Sequence, residues 1–205
     1  MPSLAAVAPA TEDRGLEILD SIRLVFAEKG FDGASMQDLA RAADMSVGNF
    51  YRYFPSKAAI VEAMVGLDLR EIERDFSDIL VSDDPMAGVR AKLLQRITED
   101  CRDDGRLWAE ITAAAIRKPE VAAASLRMED AIVRNLATVF AQVTGRTHDG
   151  AVLRYKGHCQ LVIMLVKSSA MRSSQCGPAS ADLLRLIMAT IDQILTEISN
   201  DMAKG

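Results

Sequence analysis

Apolar residues recur at intervals of three and four along almost the whole chain, Gly and Pro sit at segment ends, and no alternating run is long enough for a strand. This pattern predicts an all-α fold of about nine helices. A first helix from about Thr11 to Lys29 carries Leu19, Ile22 and Phe26 on one stripe, with Ile18 and Val25 beside it. It stops at Gly30, and Phe31 closes the turn over the core. Two short helices follow, then one from roughly Ser56 to Val81, a rod of about 39 Å. Further breaks fall at Ser82-Asp83-Asp84-Pro85, Asp103-Asp104-Gly105, Pro119, Gly145 and Gly177-Pro178. The second separates a helix ending near Arg102 from one holding Leu107, Trp108 and Ile111. The last divides helices of roughly His148 to Ser173 and Ser180 to Asn200.

At 205 residues, 49% of them hydrophobic, the chain has enough apolar material for a buried core in one domain or two small ones. The apolar run Leu4 to Ala10 lacks a basic flank, is broken by Pro9 and is too short to span a bilayer, so it reads as a frayed tail with no membrane role. Cys101, Cys159 and Cys176 form no CxxC pair and read as free thiols in a reducing, cytoplasmic setting. A net charge of −5 excludes a protein that coats nucleic acid indiscriminately, because that affinity comes from many cations neutralising phosphates. Any contact with DNA must be local. From Ser35 to Lys57, Arg41, Arg52 and Lys57 stand against Asp38 and Asp44, a surplus of a single positive charge.

That stretch has a distinct organisation. Ser35 precedes Met36, Leu39, Ala40 and Ala43, the inner face of a two-turn helix that Ser35 caps and Asp38 supports at its start. Asp44 and Met45 make a tight turn. Ser46 caps a second short helix whose apolar residues are Val47 or Phe50, Tyr51 and Phe54, and it must end before Pro55, where the rod begins. Helix, tight turn and short helix, braced by a helix before and a rod after, are the parts of a helix-turn-helix unit. The second short helix would be its reading head. Ser46, Gly48 and Asn49 are small enough to let its backbone sit deep in a major groove, with Asn49 free to bond a base edge. Tyr51, Arg52, Tyr53 and Lys57 are phosphate-seeking types around it.

The stretch Gly30-Phe31, Ala34 to Ala40 and Ala43 to Lys57 resembles the DNA-binding signature of the tetracycline-repressor (TetR) family almost throughout. The likeness covers about Thr11 to Met64. Leu107-Trp108-Ala109-Glu110 followed by Pro119-Glu120 also resembles the regulatory domain of a subset that includes betaine-pathway repressors. The resemblance implies phosphate contacts from Ser35, Ser46, Tyr51, Tyr53 and Lys57, with Gln37, Val47, Gly48 and Asn49 near base edges and Arg52 close by. Many relatives carry histidine where this chain has Tyr53. It further implies a repressor released from a palindromic operator by a small-molecule effector, with residues 1–10 a disordered tail, 11–57 the DNA-binding domain and 58–205 a ligand-binding and dimerisation domain.

For the remaining two thirds the residues themselves add two expectations. Leu161 to Val166 is apolar all round a helix, and the final helix has a wide apolar face through Leu183, Leu186, Ile187, Ile191, Ile194 and Ile198. Two such helices from each of two chains would form a four-helix bundle with two-fold symmetry, hence a homodimer. An effector pocket would lie among helices carrying Trp108, Met128, His158, Cys159 and Met164. Glu110 would attract a cationic ligand if it pointed inward. No Gly-rich phosphate loop, HExxH, nucleophile elbow or metal-ligand set appears, so neither catalysis, a metal nor a cofactor is expected. A helical adaptor without specific DNA binding is the alternative, and the helix-turn-helix discriminates against it.

Overall fold

Nine helices, and no strand, run through the residues described by the computed structural model, which are 9–98, 102–176 and 179–201. They are α1 (Pro9–Lys29), α2 (Met36–Ala42), α3 (Val47–Tyr53), α4 (Lys57–Leu80), α5 (Pro85–Thr98), α6 (Arg102–Ala115), α7 (Pro119–Thr144), α8 (His148–Cys176) and α9 (Ala181–Asn200). The start signals work locally. The hydroxyls of Ser46, Ser56 and Ser180 each accept the backbone N–H three residues on, and Ser35 and Asp38 form a complete capping box. Gly145 ends α7 in the left-handed region at φ 68.

Three boundaries differ from those expected. Helix α1 begins at Pro9 instead of Thr11, proline being suited to a first helical turn; the rest of the expected tail, residues 1–8, lies outside the described residues. Asp103-Asp104-Gly105 lies inside α6, because aspartates serve a helix start as readily as a loop. Helix α8 runs on to Cys176, and the Gly177-Pro178 breaker lies outside the described residues, as do Cys101 and the Cys176 side chain.

Two apolar clusters organise the molecule. The lower one joins Ile22 and Phe26 of α1, Leu39 of α2, Phe50 of α3 and Ile60 and Met64 of α4 to Leu107 and Ile111 of α6 and Val121 and Ala124 of α7. The upper one gathers Ile79, Val89, Leu136, Phe140, Tyr155, Cys159, Val162 and Ile191 from α4, α5, α7, α8 and α9. Helices α4 and α7 supply residues to both, so they are the rods that hold the layers together. A division after residue 57 therefore cuts through a shared core: Ile60, Val61, Met64 and Val65 complete the N-terminal unit, and α6 closes its back. In the upper layer, Asp201 accepts from Arg146, Arg154 and the Tyr155 hydroxyl, and Arg154 foremost holds its carboxyl well below the usual carboxylate range. Cys159 is fully buried, and desolvation pushes its thiol up to about 12, so it is inert at neutral pH.

Candidate nucleic-acid interface

The reading head is built from its buried side outward. Phe50 is fully buried, its ring tilted against that of Phe54 with centres 5.4 Å apart, which fixes the roll of α3 about its own axis. With Phe50 pointing in, Val47, Gly48, Asn49, Tyr51, Arg52 and Tyr53 all lie on exposed surface, joined by Ser35 and Gln37 of the α2 turn and by Ser46. Tyr51 and Tyr53 are 48% and 55% exposed, far too open for core aromatics. A Cβ placed on Gly48 would meet nothing within 4 Å, so the helix backbone there can come close to a docked surface. Nine of the ten residues expected at DNA are therefore exposed. The exception is Lys57.

Lys57 points back into the protein. Its Nζ donates to the carbonyl oxygens of Phe31 at 2.6 Å, Ala34 at 3.0 Å and Asp32 at 3.2 Å, and lies 5.0 Å from the centre of the Phe31 ring. An ammonium has three donors, and all three are used. Partial burial holds it below the ordinary lysine range. Instead of reaching for phosphate, Lys57 pins the α1–α2 turn to the first turn of α4. Ser35 is similarly engaged: its Oγ accepts from the Asp38 N–H at 3.1 Å and donates to the Asp38 carboxylate at 2.6 Å. Lys29, ahead of Ser35, holds the Asp38 carboxyl well below its usual range.

The same turn is clasped from the other side. Gly30 adopts φ +74, and Glu110 of α6 accepts the Phe31 N–H at 3.1 Å. A Cβ on Gly30 would come within 2.9 Å of Glu110 Oε2, the movable end of that side chain, so it is the conformation that favours glycine. Asp32 pairs with Arg117 at 2.8 Å and Lys118 at 3.0 Å, from the α6–α7 turn. Glu110 thus faces the α1–α2 turn. Asp32, Arg117 and Lys118 had no signal in the sequence, because their partners are 85 or more residues away.

The four residues expected in an effector pocket do not come together. Trp108 and Met128 pack, half-buried, against the lower cluster. His158 lines a groove of about 320 Å³ between α8 and α9, with its Nε2 3.7 Å from Glu197 and its ring edge-on to Tyr155. Met164 is 63% exposed on the outer face of α8. The three sites belong to different parts of the fold.

Comparison with known proteins fits this geometry. Residues 18–64, the span from the buried Ile18 of α1 to the buried Met64 of α4, match the family described as bacterial regulatory proteins, tetR family. Over these residues the chain is similar to that family. Likeness to known proteins extends further, in sequence and in fold. The HTH-type transcriptional regulator UidR of Escherichia coli K12 is 29% identical over 128 residues, 60% of this chain and 61% of UidR, so the matched stretch is under two thirds of that relative. The HTH-type transcriptional repressor KstR of Mycobacterium tuberculosis is 33% identical over 88 residues, 43% of this chain and 37% of KstR. The likeness of fold spans nearly everything: the Salmonella enterica GusR structure superposes with a TM-score of 0.73 over 93% of this chain and 98% of GusR, at 24% identity.

Proposed function

We propose that this chain is a cytoplasmic transcriptional repressor that binds a near-palindromic operator as a homodimer and leaves it when a small molecule binds. The single observation that carries the reading is the exposed α3 surface from Ser46 to Tyr53, rolled into place by Phe50, with small residues at its N-terminus and two exposed tyrosines beside it. Repression is supported by the name of KstR, a repressor with a similar N-terminal part. Val47, Gly48, Asn49 and Gln37 lie where base edges would be met, while Ser35, Ser46, Tyr51, Arg52 and Tyr53 flank them as phosphate contacts. Lys57 contributes indirectly, by shaping the turn that carries Ser35.

Dimerisation is supported by α8 and α9. Leu153, Gly157, Leu161 and Met164 fall on one stripe of α8, exposed by 87%, 42% and 63% at Leu153, Leu161 and Met164, while Val162 and Ile163 beside them are buried in the protomer. Nothing lies within 4 Å of a Cβ built on Gly157, which leaves room for another helix to approach closely. Leu186 adds a 55% exposed leucine on α9. Paired α8 and α9 helices from two copies would cover these side chains and set two reading heads about 34 to 36 Å apart.

Effector action would run through the clasp on the α1–α2 turn. A ligand packing against Trp108 and Met128 would displace α6 or the start of α7, and both reach the turn through Glu110, Arg117 and Lys118. Typical coupling of about 1 to 3 kcal/mol would change operator affinity roughly 5- to 150-fold. The whole reading is tested by transcription in vitro from DNA carrying the region upstream of this chain's gene. Added protein should reduce transcript from that template and leave an unrelated promoter untouched; equal effects on both, or none, would contradict repression.

A further inference from the structure

Five cations lie between residues 18 and 64, and the structure divides them sharply. Arg23 pairs with Asp68, Lys29 pairs with Asp38, and Lys57 is spent on three carbonyls. Arg41 and Arg52 are exposed and, among the described residues, have no carboxylate within ion-pair distance. Of these five cations, the two guanidiniums are the ones left for phosphate. Arg52 already belongs to the reading head. Arg41 stands on α2, one helical turn after the exposed Gln37 and on the same face. It borders an open groove of about 420 Å³ whose other walls include Gln37, Ser46 and Val47, three residues of the proposed DNA surface.

We infer that Arg41 is a phosphate anchor of the DNA complex, placed by α2 across the backbone that flanks the groove read by α3. This rests on the DNA-binding reading above. The first helix of a helix-turn-helix crosses the sugar–phosphate backbone while the second enters the groove, so a cation on α2 meets phosphates, not base edges. An unpaired, hydrated guanidinium also gives up no protein partner when it binds, whereas Lys29 would have to leave Asp38. Asp44 opposes it. This residue forms the α2–α3 turn at φ 51, a conformation aspartate tolerates, and its exposed carboxylate borders the same groove. The anchor therefore works against a local negative charge, and neutralising Asp44 strengthens it.

The test uses the full chain and two labelled duplexes, one from the DNA upstream of its gene and one scrambled to the same composition, titrated from low to moderate salt. Arg41→Gln should weaken both duplexes by the same factor, on the order of tenfold per protomer near 0.1 M salt, with a slope of log affinity against log salt shallower by about 0.9 per protomer. Its melting temperature should match the parent's, since Arg41 has no partner to lose. Asp44→Asn should tighten both duplexes. Unchanged affinity and slope in Arg41→Gln would overturn the assignment, as would a loss confined to one sequence, which would make Arg41 a base reader. Failure of the parent protein to bind either duplex would remove the DNA-binding reading itself, a result separable from the first two.

Discussion

Replacing Lys57 with alanine is expected to lower the stability of the fold by about 2 to 3 kcal/mol, a large effect for a side chain beside the proposed DNA surface. Three charge-assisted hydrogen bonds disappear, to Phe31, Asp32 and Ala34, together with the contact over the Phe31 ring. Each such bond contributes roughly 1.5 to 3 kcal/mol when shielded, and less here because water reaches part of the site. The carbonyls converge only because Gly30 turns the chain through φ +74, so the turn loses the group that holds it in that shape. Urea unfolding followed by circular dichroism measures the change. A lysine that served only to touch phosphate would leave the unfolding midpoint where it was and would make the salt dependence of DNA binding shallower instead.

Leu153→Glu combined with Leu161→Glu is expected to give a monomer. Both side chains are exposed on α8, so the two carboxylates cost the protomer little, but they would face each other across a two-fold axis in an apolar seam. Light scattering should report twice the 22.3 kDa chain mass for the parent protein and a single chain mass for the variant. DNA affinity should fall on the order of a hundredfold or more, because the second half-site is then no longer bound at the high effective concentration that a linked partner provides. A dimer of unchanged stability in the variant would place the interface elsewhere, and with it the spacing of the reading heads.

The helices and most of their ends were legible because they depend on chemistry within one turn. Ser35, Ser46, Ser56 and Ser180 cap helices from three residues away, and the spacing of Ile22, Phe26 and Leu39 names the inner faces of α1 and α2 directly, whereas on α3 it leaves Val47 and Phe50 as alternatives. Exposure on α3 follows from the same periodicity, once Phe50 is known to point inward. Lys57 was not legible. Its type and place at a helix start fit phosphate, and only a turn 23 to 26 residues upstream, folded by tertiary contacts, presents three carbonyls to it. Periodicity likewise gives Trp108, Met128, His158 and Met164 an inner or outer face without saying which cluster that face meets. Two layers stacked along α4 and α7 send them to different places. Glu110 and Asp32 are legible only in three dimensions, although Gly30 marks the turn they hold.

The most direct measurement is the ratio of affinities of the full chain for its own upstream DNA and for a scrambled duplex, taken at two salt concentrations. A reading head of this kind should favour the upstream DNA by a factor of a thousand or more, roughly the range of specific regulators, and keep most of that preference as salt rises. Asn49→Ala should reduce the preference by altering which base is favoured, with little change in binding to the scrambled duplex. Equal affinity for the two duplexes, falling together with salt, would contradict sequence reading by α3.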